Sequence, residues 1–257
     1  MAPAGELQNM IGMVYEMTKK PNQVRYPQLI RPTIAIVGGF GSGKTEISVN
    51  LAKFLAANES NPVTLVDLDL VNPYFRSRET VKEMESLGIG VISPAGAHAF
   101  ADLPILLPEV KGAIEADNTR LILDVGGDAQ GTRVFGSLSE CFVPGRYDML
   151  MVLNSRRPQT ADLEGCIKTM DRIEAAARLK FSGLIANSHM IDETDLEVIV
   201  EGYELARKVS KVSGLPLVFL SARRAVLEAV DQSRFDCALL PLTRLMLKPW
   251  EKREDPL

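Results

Sequence analysis

The sequence predicts an α/β fold in which a mostly parallel β-sheet carries helices on both faces. From Thr33 onward, short apolar runs rich in β-branched residues alternate with longer segments of helical periodicity, which is typical of parallel strands joined by helical crossovers. No linker, repeat or low-complexity tract interrupts the alternation, and 46% hydrophobic with 24% charged residues is ordinary for a globular chain. We therefore expect residues 31–257 to form one domain.

The elements follow from the apolar runs and the turn signals between them. Strands are predicted at residues 33–38, 63–68, 90–93, 120–125, 147–154, 181–187 and 215–221. Helices are predicted at residues 44–57, 78–87, 103–117, 159–178, 194–212 and 223–230.

Residues 1–30 are predicted to be a separate amphipathic extension. They carry an apolar stripe at helical spacing that ends before Pro21. The stripe consists of Leu7, Met10, Ile11, Val14 and Met17. Two roles fit this pattern, namely packing on the chain's own domain and docking of a partner protein.

The composition argues against two classes of partner. A net charge of −4 and a pI near 5.4 give no overall attraction for nucleic acid. The N-terminus has no unbroken apolar signal segment, and no window approaches the ~20 apolar residues of a membrane span. Cys141, Cys166 and Cys237 lie far apart and lack metal-ligand spacing. We expect a cytoplasmic protein that binds neither nucleic acid nor membrane.

A phosphate-binding loop is predicted between the first strand and the first helix. Residues Gly38 to Thr45, with the sequence GGFGSGKT, match G-x-x-x-x-G-K-[ST] at every defined position. Glycines let backbone N–H groups converge on a phosphate, and the helix adds its positive N-terminal end. Lys44 would reach the β- and γ-phosphate oxygens, and the Thr45 hydroxyl would be a ligand of Mg²⁺. The predicted nucleotide-binding residues here are Gly39, Phe40, Gly41, Ser42, Gly43, Lys44, Thr45 and Glu46.

Carboxylates at the ends of two further strands complete a predicted hydrolytic site. Asp124 lies near the end of the apolar run RLILDV, as a Walker B aspartate does, and is predicted to hold the magnesium shell. Asp67 and Asp69 lie on one side of the chain near the carboxyl end of their strand, where ligands of open α/β sheets bind. One would orient or deprotonate a water, and the other would serve the metal's water shell. Gly127 is predicted to donate its N–H to the γ-phosphate.

These motifs resemble those of the MinD/ParA-like ATPases of the SIMIBI division of P-loop proteins. The run GSGKTEISVNLAKFLA, followed by VTLVDLDLVNP, is similar to that family's Gly-Lys-Thr loop, NLA-bearing helix and Asp-x-Asp strand end. The resemblance implies a single P-loop NTPase domain that uses ATP and Mg²⁺. It implies that Lys44 binds the phosphates, that Thr45 and Asp124 serve the metal, and that Asp69 positions the attacking water. Lys44 and Asp69 are therefore the predicted catalytic residues, and Asp67 joins Thr45 and Asp124 as a predicted metal residue.

The chain departs from this family at the second position of the loop. Members with the deviant loop carry a signature lysine there, which reaches across a nucleotide-sandwich dimer, whereas this chain has Gly39. Loss of such a cation can lower the rate on the order of 10³-fold. We therefore expect either slow turnover or a substitute cation. Arg76 and Arg78, which follow the second strand, are candidates for that role or else are solvated surface residues.

Base specificity is predicted from the segment after the sixth strand. P-loop GTPases usually have Asn-Lys-x-Asp there, but this chain has Asn187-Ser188-His189-Met190 and lacks the guanine-binding carboxylate. Because the Asn187 amide offers a donor and an acceptor to adenine, we expect ATP rather than GTP. His189 is interpreted as a loop residue or the edge of the base pocket, and His98 as a loop residue exposed to water.

Three functions fit these residues. The first is a nucleotide-switched ATPase that forms a homodimer with ATP and regulates or matures an unidentified protein client, as the resemblance implies. The second is a kinase that transfers the γ-phosphoryl group to a small molecule or a nucleic-acid end. The third is a nucleotide sensor or scaffold that rarely hydrolyses.

Overall fold

The computed structural model describes residues 25–69, 78–94, 99–116, 119–190 and 193–245. Within them the strands are β1 (Thr33–Gly38), β2 (Val63–Leu68), β3 (Ile89–Ile92), β4 (Arg120–Val125), β5 (Tyr147–Leu153), β6 (Gly183–Ala186), β7 (Leu217–Arg223) and β8 (Ala238–Leu242). The α-helices are α1 (Lys44–Asn58), α2 (Arg78–Ser86), α3 (Ala99–Glu115), α4 (Ala129–Ser137), α5 (Leu163–Ala177), α6 (Leu196–Ser213) and α7 (Arg224–Glu228).

The eight strands form one sheet in the order β3-β2-β4-β1-β5-β6-β7-β8, and every described pair is parallel. This confirms the predicted α/β architecture. After β1 the chain forms β2, β3 and β4 on one side of that strand, and then β5 to β8 on its other side. Such a change of direction opens a crevice at the carboxyl ends of the central strands, which is the usual place for a ligand.

Alternating residues of β1 show how the sheet is covered on both faces. Ile34 and Ile36 are fully buried in a core that includes residues of α1 and α2. Ala35 and Val37 are fully buried in a second core, which includes residues of α3, α4, α5 and α6. A strand that is buried on both faces reads as a continuous apolar run, and this is why the sequence shows the strands so clearly.

The segment before β1 packs on the domain. Tyr26 stacks on Phe54 of α1 with a ring-centroid distance of 4.9 Å, and Leu29 is buried in the same core. The Arg120 guanidinium donates to the carbonyls of Leu29 and Arg31. The described end of the predicted extension is therefore part of the folded unit, whereas its apolar stripe lies outside the described residues.

Two elements were not predicted from the sequence. Strand β8 is short and contains Pro241, which removes a backbone donor and is tolerated at the edge of a sheet. Helix α4 contains Gly131 and Gly136, which lower helix propensity. Its N-cap is Asp128, whose side chain accepts from the N–H groups of Gln130 and Gly131. In the described part of the chain, none of the helices has the length and apolar content needed to traverse a bilayer.

Candidate nucleotide-binding site

The loop between β1 and α1 has the backbone of a phosphate cradle. Gly41 and Gly43 have φ values of 70° and 92°, a region that favours glycine. The Ser42 N–H donates to the Gly39 carbonyl at 3.1 Å, and α1 begins at Lys44 directly after Gly43. The loop therefore leads into a helix N-terminus, where unpaired N–H groups favour an anion.

Lys44 is held by the carboxylate at the end of β2. Its Nζ lies 2.8 Å from Asp69 Oδ2, and both side chains are more than 90% buried. Burial opposes the charge of Lys44, but Asp124, Asp69 and Asp67 together raise the pKa of Lys44 above its ordinary value. Lys44 therefore stays protonated, with its ammonium group buried beside Asp69.

Asp124 lies beside Asp67 on the neighbouring strand. The two residues are partners in the β2–β4 register, and the Asp67 carboxylate accepts from the Asp69 N–H at 3.0 Å. Burial raises the pKa of Asp124, while Lys44 and the Thr45 and Ser48 hydroxyls oppose that rise. Asp124 Oδ2 is buried without a hydrogen-bond partner among the described residues. A buried carboxylate oxygen without a partner indicates that a ligand completes the site.

These residues fit a magnesium ion bound together with a nucleotide. In the described part of the chain, no group of three or more His, Cys, Asp or Glu side chains could hold a metal by itself. Mg²⁺ at phosphate sites takes most of its ligands from phosphate oxygens and water, with one or two protein groups. Thr45 would be a direct ligand, Asp124 would hold the metal's water shell, and Asp67 would support it. The ion would neutralise charge on the phosphate chain.

Gly127 brings the segment after β4 against the phosphate-binding loop. A Cβ atom at this position would lie 1.9 Å from the Gly38 carbonyl oxygen. Only glycine permits this approach, and it places the backbone of residue 127 beside the start of the loop. The predicted contact of its N–H with a γ-phosphate stays a prediction, and the structure brings the two segments together as that contact requires.

Asn187 supports the loop from the end of β6. Its Nδ2 donates to the Ser42 carbonyl at 2.8 Å, and its Oδ1 accepts from the Ser221 hydroxyl at 2.9 Å. A Cβ at Gly43 would lie 2.2 Å from that Nδ2, so glycine is needed there for packing as well as for φ. Each polar atom of the amide retains capacity for one more hydrogen bond, so the predicted contact with the base stays a prediction.

A cavity opens above the loop at the carboxyl edge of the sheet. Part of its lining was predicted from the sequence: Phe40, Gly41, Gly43, Lys44, Thr45, Glu46, Asp69 and Asn187. The other lining residues lie at or after the carboxyl ends of β5 to β8, and of these only His189 was predicted to lie near the nucleotide, at the edge of the base pocket. They are Arg157, His189, Thr194, Ala222, Arg223, Leu242 and Arg244. Burial, with the charges of Arg157 and Arg244, lowers the pKa of His189 to about 4, so its imidazole is neutral at pH 7.

The wall that contains Leu242 and Arg244 is fastened to α1. The Glu46 carboxylate accepts from the Leu245 N–H at 3.0 and 3.1 Å. Asn50 bonds the backbone of Thr243 twice, as donor at 3.0 Å and as acceptor at 2.9 Å. Glu46 lines the cavity, but its carboxylate is directed at the chain after β8.

Several predicted residues cannot be placed in the site. Arg76 and His98 lie outside the described residues, and Arg78 is the first residue of α2. Arg157 was missed because its neighbour in the site, Gly41, is 116 residues away in the chain. Its one signal in the sequence is a basic residue shortly after the carboxyl end of a predicted central strand.

The sequence profile of one family, described as the CobQ/CobB/MinD/ParA nucleotide binding domain, matches residues 34–233. That span contains the loop, Asp69, Asp124 and Asn187. The chain belongs to this family. The resemblance to MinD/ParA-like SIMIBI proteins is thereby confirmed, and the chain contains a P-loop nucleotide-binding domain. No curated protein matches the chain in sequence.

Solved structures are similar to the chain at low sequence identity. FtsY from Thermotoga maritima has a TM-score of 0.50 at 19% identity, and the match covers 85% of this chain and 69% of that one. FtsY from Elizabethkingia anophelis in complex with GDP has a TM-score of 0.49 at 18% identity, with 84% and 66% covered. A nucleotide-binding protein from Archaeoglobus fulgidus in complex with ADP has a TM-score of 0.44 at 16% identity, with 79% and 86% covered. The chain spans 62% to 69% of the length of four FtsY chains that it matches.

Proposed function

We propose that the chain is a nucleotide-switched ATPase that binds and hydrolyses Mg-ATP. The main support is the convergence of Lys44, Asp69 and Asp124 at the P-loop, with Lys44 paired to Asp69 at 2.8 Å and a free oxygen on Asp124. A bound triphosphate would attract the Lys44 ammonium group. Asp69 would then be released to orient a water or accept its proton, so nucleotide binding itself would prepare hydrolysis.

The choice of ATP rests on the segment after β6. Guanine is recognised in P-loop GTPases through a carboxylate that accepts from its N–H groups, and residues 187–190 contain none. The Asn187 amide lines the cavity and can still donate and accept one hydrogen bond each. The solved structures with bound GDP and bound ADP belong to other proteins, and they favour neither base for this chain.

The switch would act through a homodimer that closes with ATP and regulates or matures a protein client in the cytoplasm. Family membership supports this proposal. Phe40 adds to it, because this aromatic side chain is 74% exposed at the P-loop, and exposed aromatic groups are common in the centres of protein interfaces. Hydrolysis would remove the γ-phosphate and reopen the dimer.

The test is phosphate release from Mg-ATP and from Mg-GTP over a range of protein concentrations. We expect release with ATP alone and a specific activity that rises with protein concentration. Faster release from GTP would overturn the assignment of the base. Tight ATP binding without phosphate release at any concentration would contradict the ATPase and would favour a kinase that lacks its acceptor, or a sensor.

A further inference from the structure

The space beside Gly39, where relatives with the deviant loop carry a lysine, is occupied by the chain's own loop after β5. A Cβ at Gly39 would lie 3.1 Å from Gln159 Oε1. The same oxygen accepts from the Arg172 guanidinium at 3.2 Å. A side chain at position 39 would therefore require the Gln159 amide to shift.

Arg157, which lies two residues before Gln159, packs against the P-loop at Gly41. Its Nε donates to the Gly41 carbonyl at 2.7 Å. A Cβ at Gly41 would lie 3.0 Å from Nε and 3.3 Å from Cζ of Arg157. The guanidinium therefore lies directly on the loop backbone, and Gly41 needs its small size as well as its positive φ.

The loop that carries Arg157 is well anchored. Arg157 precedes a 3₁₀ turn, Pro158–Thr160, and its N–H donates to the Asn154 carbonyl at 3.1 Å. The Thr160 hydroxyl donates to the same carbonyl at 2.7 Å, and Asn154 is fully buried. Arg157 therefore reaches the P-loop from a fixed support, and a preorganised cation needs little rearrangement when charge develops nearby.

The Arg157 guanidinium has N–H donors that its contact with the P-loop does not use. An arginine side chain has five N–H donors, and only Nε is bonded to Gly41. Its two terminal nitrogens make no hydrogen bond to the residues that the structure describes, and the side chain lines the cavity. Gly41 belongs to the loop whose N–H groups would surround the phosphates. A guanidinium at this place can bond the loop and a phosphate oxygen at once.

We propose that Arg157 is a phosphate-binding cation that the chain supplies to its own nucleotide, in place of the lysine that relatives supply from the other subunit. This inference rests on the proposed binding of Mg-ATP. The guanidinium would hold the Gly41 carbonyl through Nε and would stabilise negative charge on the phosphate chain through its terminal nitrogens. Homodimer closure would still be needed for full turnover, but the cation on the phosphates would come from the same chain.

The experiment compares Arg157→Ala and Arg157→Lys with Arg156→Ala. Arg156 is a matched control, since it is the neighbouring arginine of the same loop and pairs with Glu201 on the surface. Turnover is measured at saturating Mg-ATP, together with thermal stability and the affinities for ADP and for a nonhydrolysable ATP analogue. We expect Arg157→Ala to lower kcat on the order of 10³-fold and to weaken the ATP analogue more than ADP. Arg157→Lys should recover only part of the rate, because the donors of an ammonium group share one nitrogen and cannot span the two contacts as a planar guanidinium does.

Mixing variants distinguishes action within a chain from action across a dimer. Arg157→Ala is mixed with Asp69→Ala at a concentration where the wild-type chain is fully active. A cation that acts in its own chain predicts no activity above the sum of the two variants. Recovery toward the wild-type rate would overturn the proposal, because it would show that Arg157 reaches the other subunit's site.

The outcomes also separate this inference from the proposed function. If the wild-type chain binds Mg-ATP but releases no phosphate, the ATPase fails, and selective loss of ATP-analogue affinity in Arg157→Ala still supports the cation. Equal loss of ADP and ATP-analogue affinity with lower thermal stability would assign Arg157 to packing alone and overturn the inference. The same conclusion would follow if Arg157→Ala matched Arg156→Ala in every measurement.

Discussion

At the scale of single residues, we expect Lys44 to be needed for ATP binding and Asp69 to be needed for turnover. Lys44 supplies the charge that a triphosphate needs, so Lys44→Ala should abolish ATP binding. Asp69→Ala should retain binding, because it removes only the group that holds Lys44 before the nucleotide arrives. Turnover should fall by about 10²-fold or more, as expected for loss of a group that positions or deprotonates water. Calorimetric binding and phosphate release measure the two effects, and wild-type turnover in Asp69→Ala would exclude its assignment.

His189 gives the cavity a pH dependence that unfolding can measure. Its pKa is lowered from 6.5 to about 4 in the folded chain, chiefly by burial and then by Arg157 and Arg244. Between these values the unfolded chain binds the proton and the folded chain does not. Stability that is present above pH 6.5 is therefore lost as the pH falls toward 4.

His189→Gln removes this titration and tests it. From pH 7 to pH 4, the free energy of unfolding of the wild type should fall by about 3 kcal/mol more than that of the variant. Urea unfolding of both chains without nucleotide gives the difference, in which the titrations of other groups cancel. Parallel curves would contradict a neutral, half-buried His189.

At the scale of elements, the approach of the β4–α4 segment to the P-loop depends on Gly127. Gly127→Ala would force backbone apart, because the added Cβ meets the Gly38 carbonyl at 1.9 Å. We expect a loss of about 1–3 kcal/mol in the free energy of unfolding, as for overpacking, together with slower phosphate release. Chemical denaturation and turnover measure both.

Gly112→Ala is the matched control for that change. Gly112 lies in α3, and a Cβ there would have no atom within 4 Å. Alanine at an open helix position should raise stability by about 0.5–1 kcal/mol. If both variants changed stability equally, the close approach at Gly127 would have no energetic consequence.

The sequence predicted correctly those elements whose structure depends on the types and spacing of neighbouring residues. β-branched runs showed the central strands, and the spacing from Gly38 to Thr45 showed the loop together with its glycine requirements. Strand β8 was invisible because an edge strand of five residues with a proline has little local signal. Contacts such as Arg157 to Gly41, or Asn187 to Ser42, join distant segments, and no local pattern encodes them.

At the scale of the whole molecule, the nucleotide cavity depends on how the two ends of the domain meet. The P-loop helix α1 comes directly after the first strand and its loop, while Leu242 ends the last strand, β8, and Arg244 follows it. Asn50 joins them through two hydrogen bonds to Thr243, across 193 residues. Its Nδ2 also donates to the Glu46 carbonyl at 2.8 Å, within α1.

Asn50→Ala should therefore weaken the fold and the site together. Loss of the amide leaves the N–H and carbonyl of Thr243 without these partners, which should cost about 1–3 kcal/mol in the free energy of unfolding. The wall formed by Leu242 and Arg244 would be held less firmly, so ATP affinity should fall while kcat at saturation changes little. Denaturant unfolding and nucleotide titration measure the two quantities.

Asn58→Ala provides the comparison within the same helix. Asn58 is exposed and, among the described residues, donates only to the Phe54 carbonyl in α1, so its loss should change stability by no more than about 0.5 kcal/mol and leave ATP affinity intact. If Asn50→Ala matched Asn58→Ala, the last strand would not depend on α1 for its position. A selective loss in Asn50→Ala would show instead that the nucleotide cavity is completed only when the end of the domain docks on the P-loop helix.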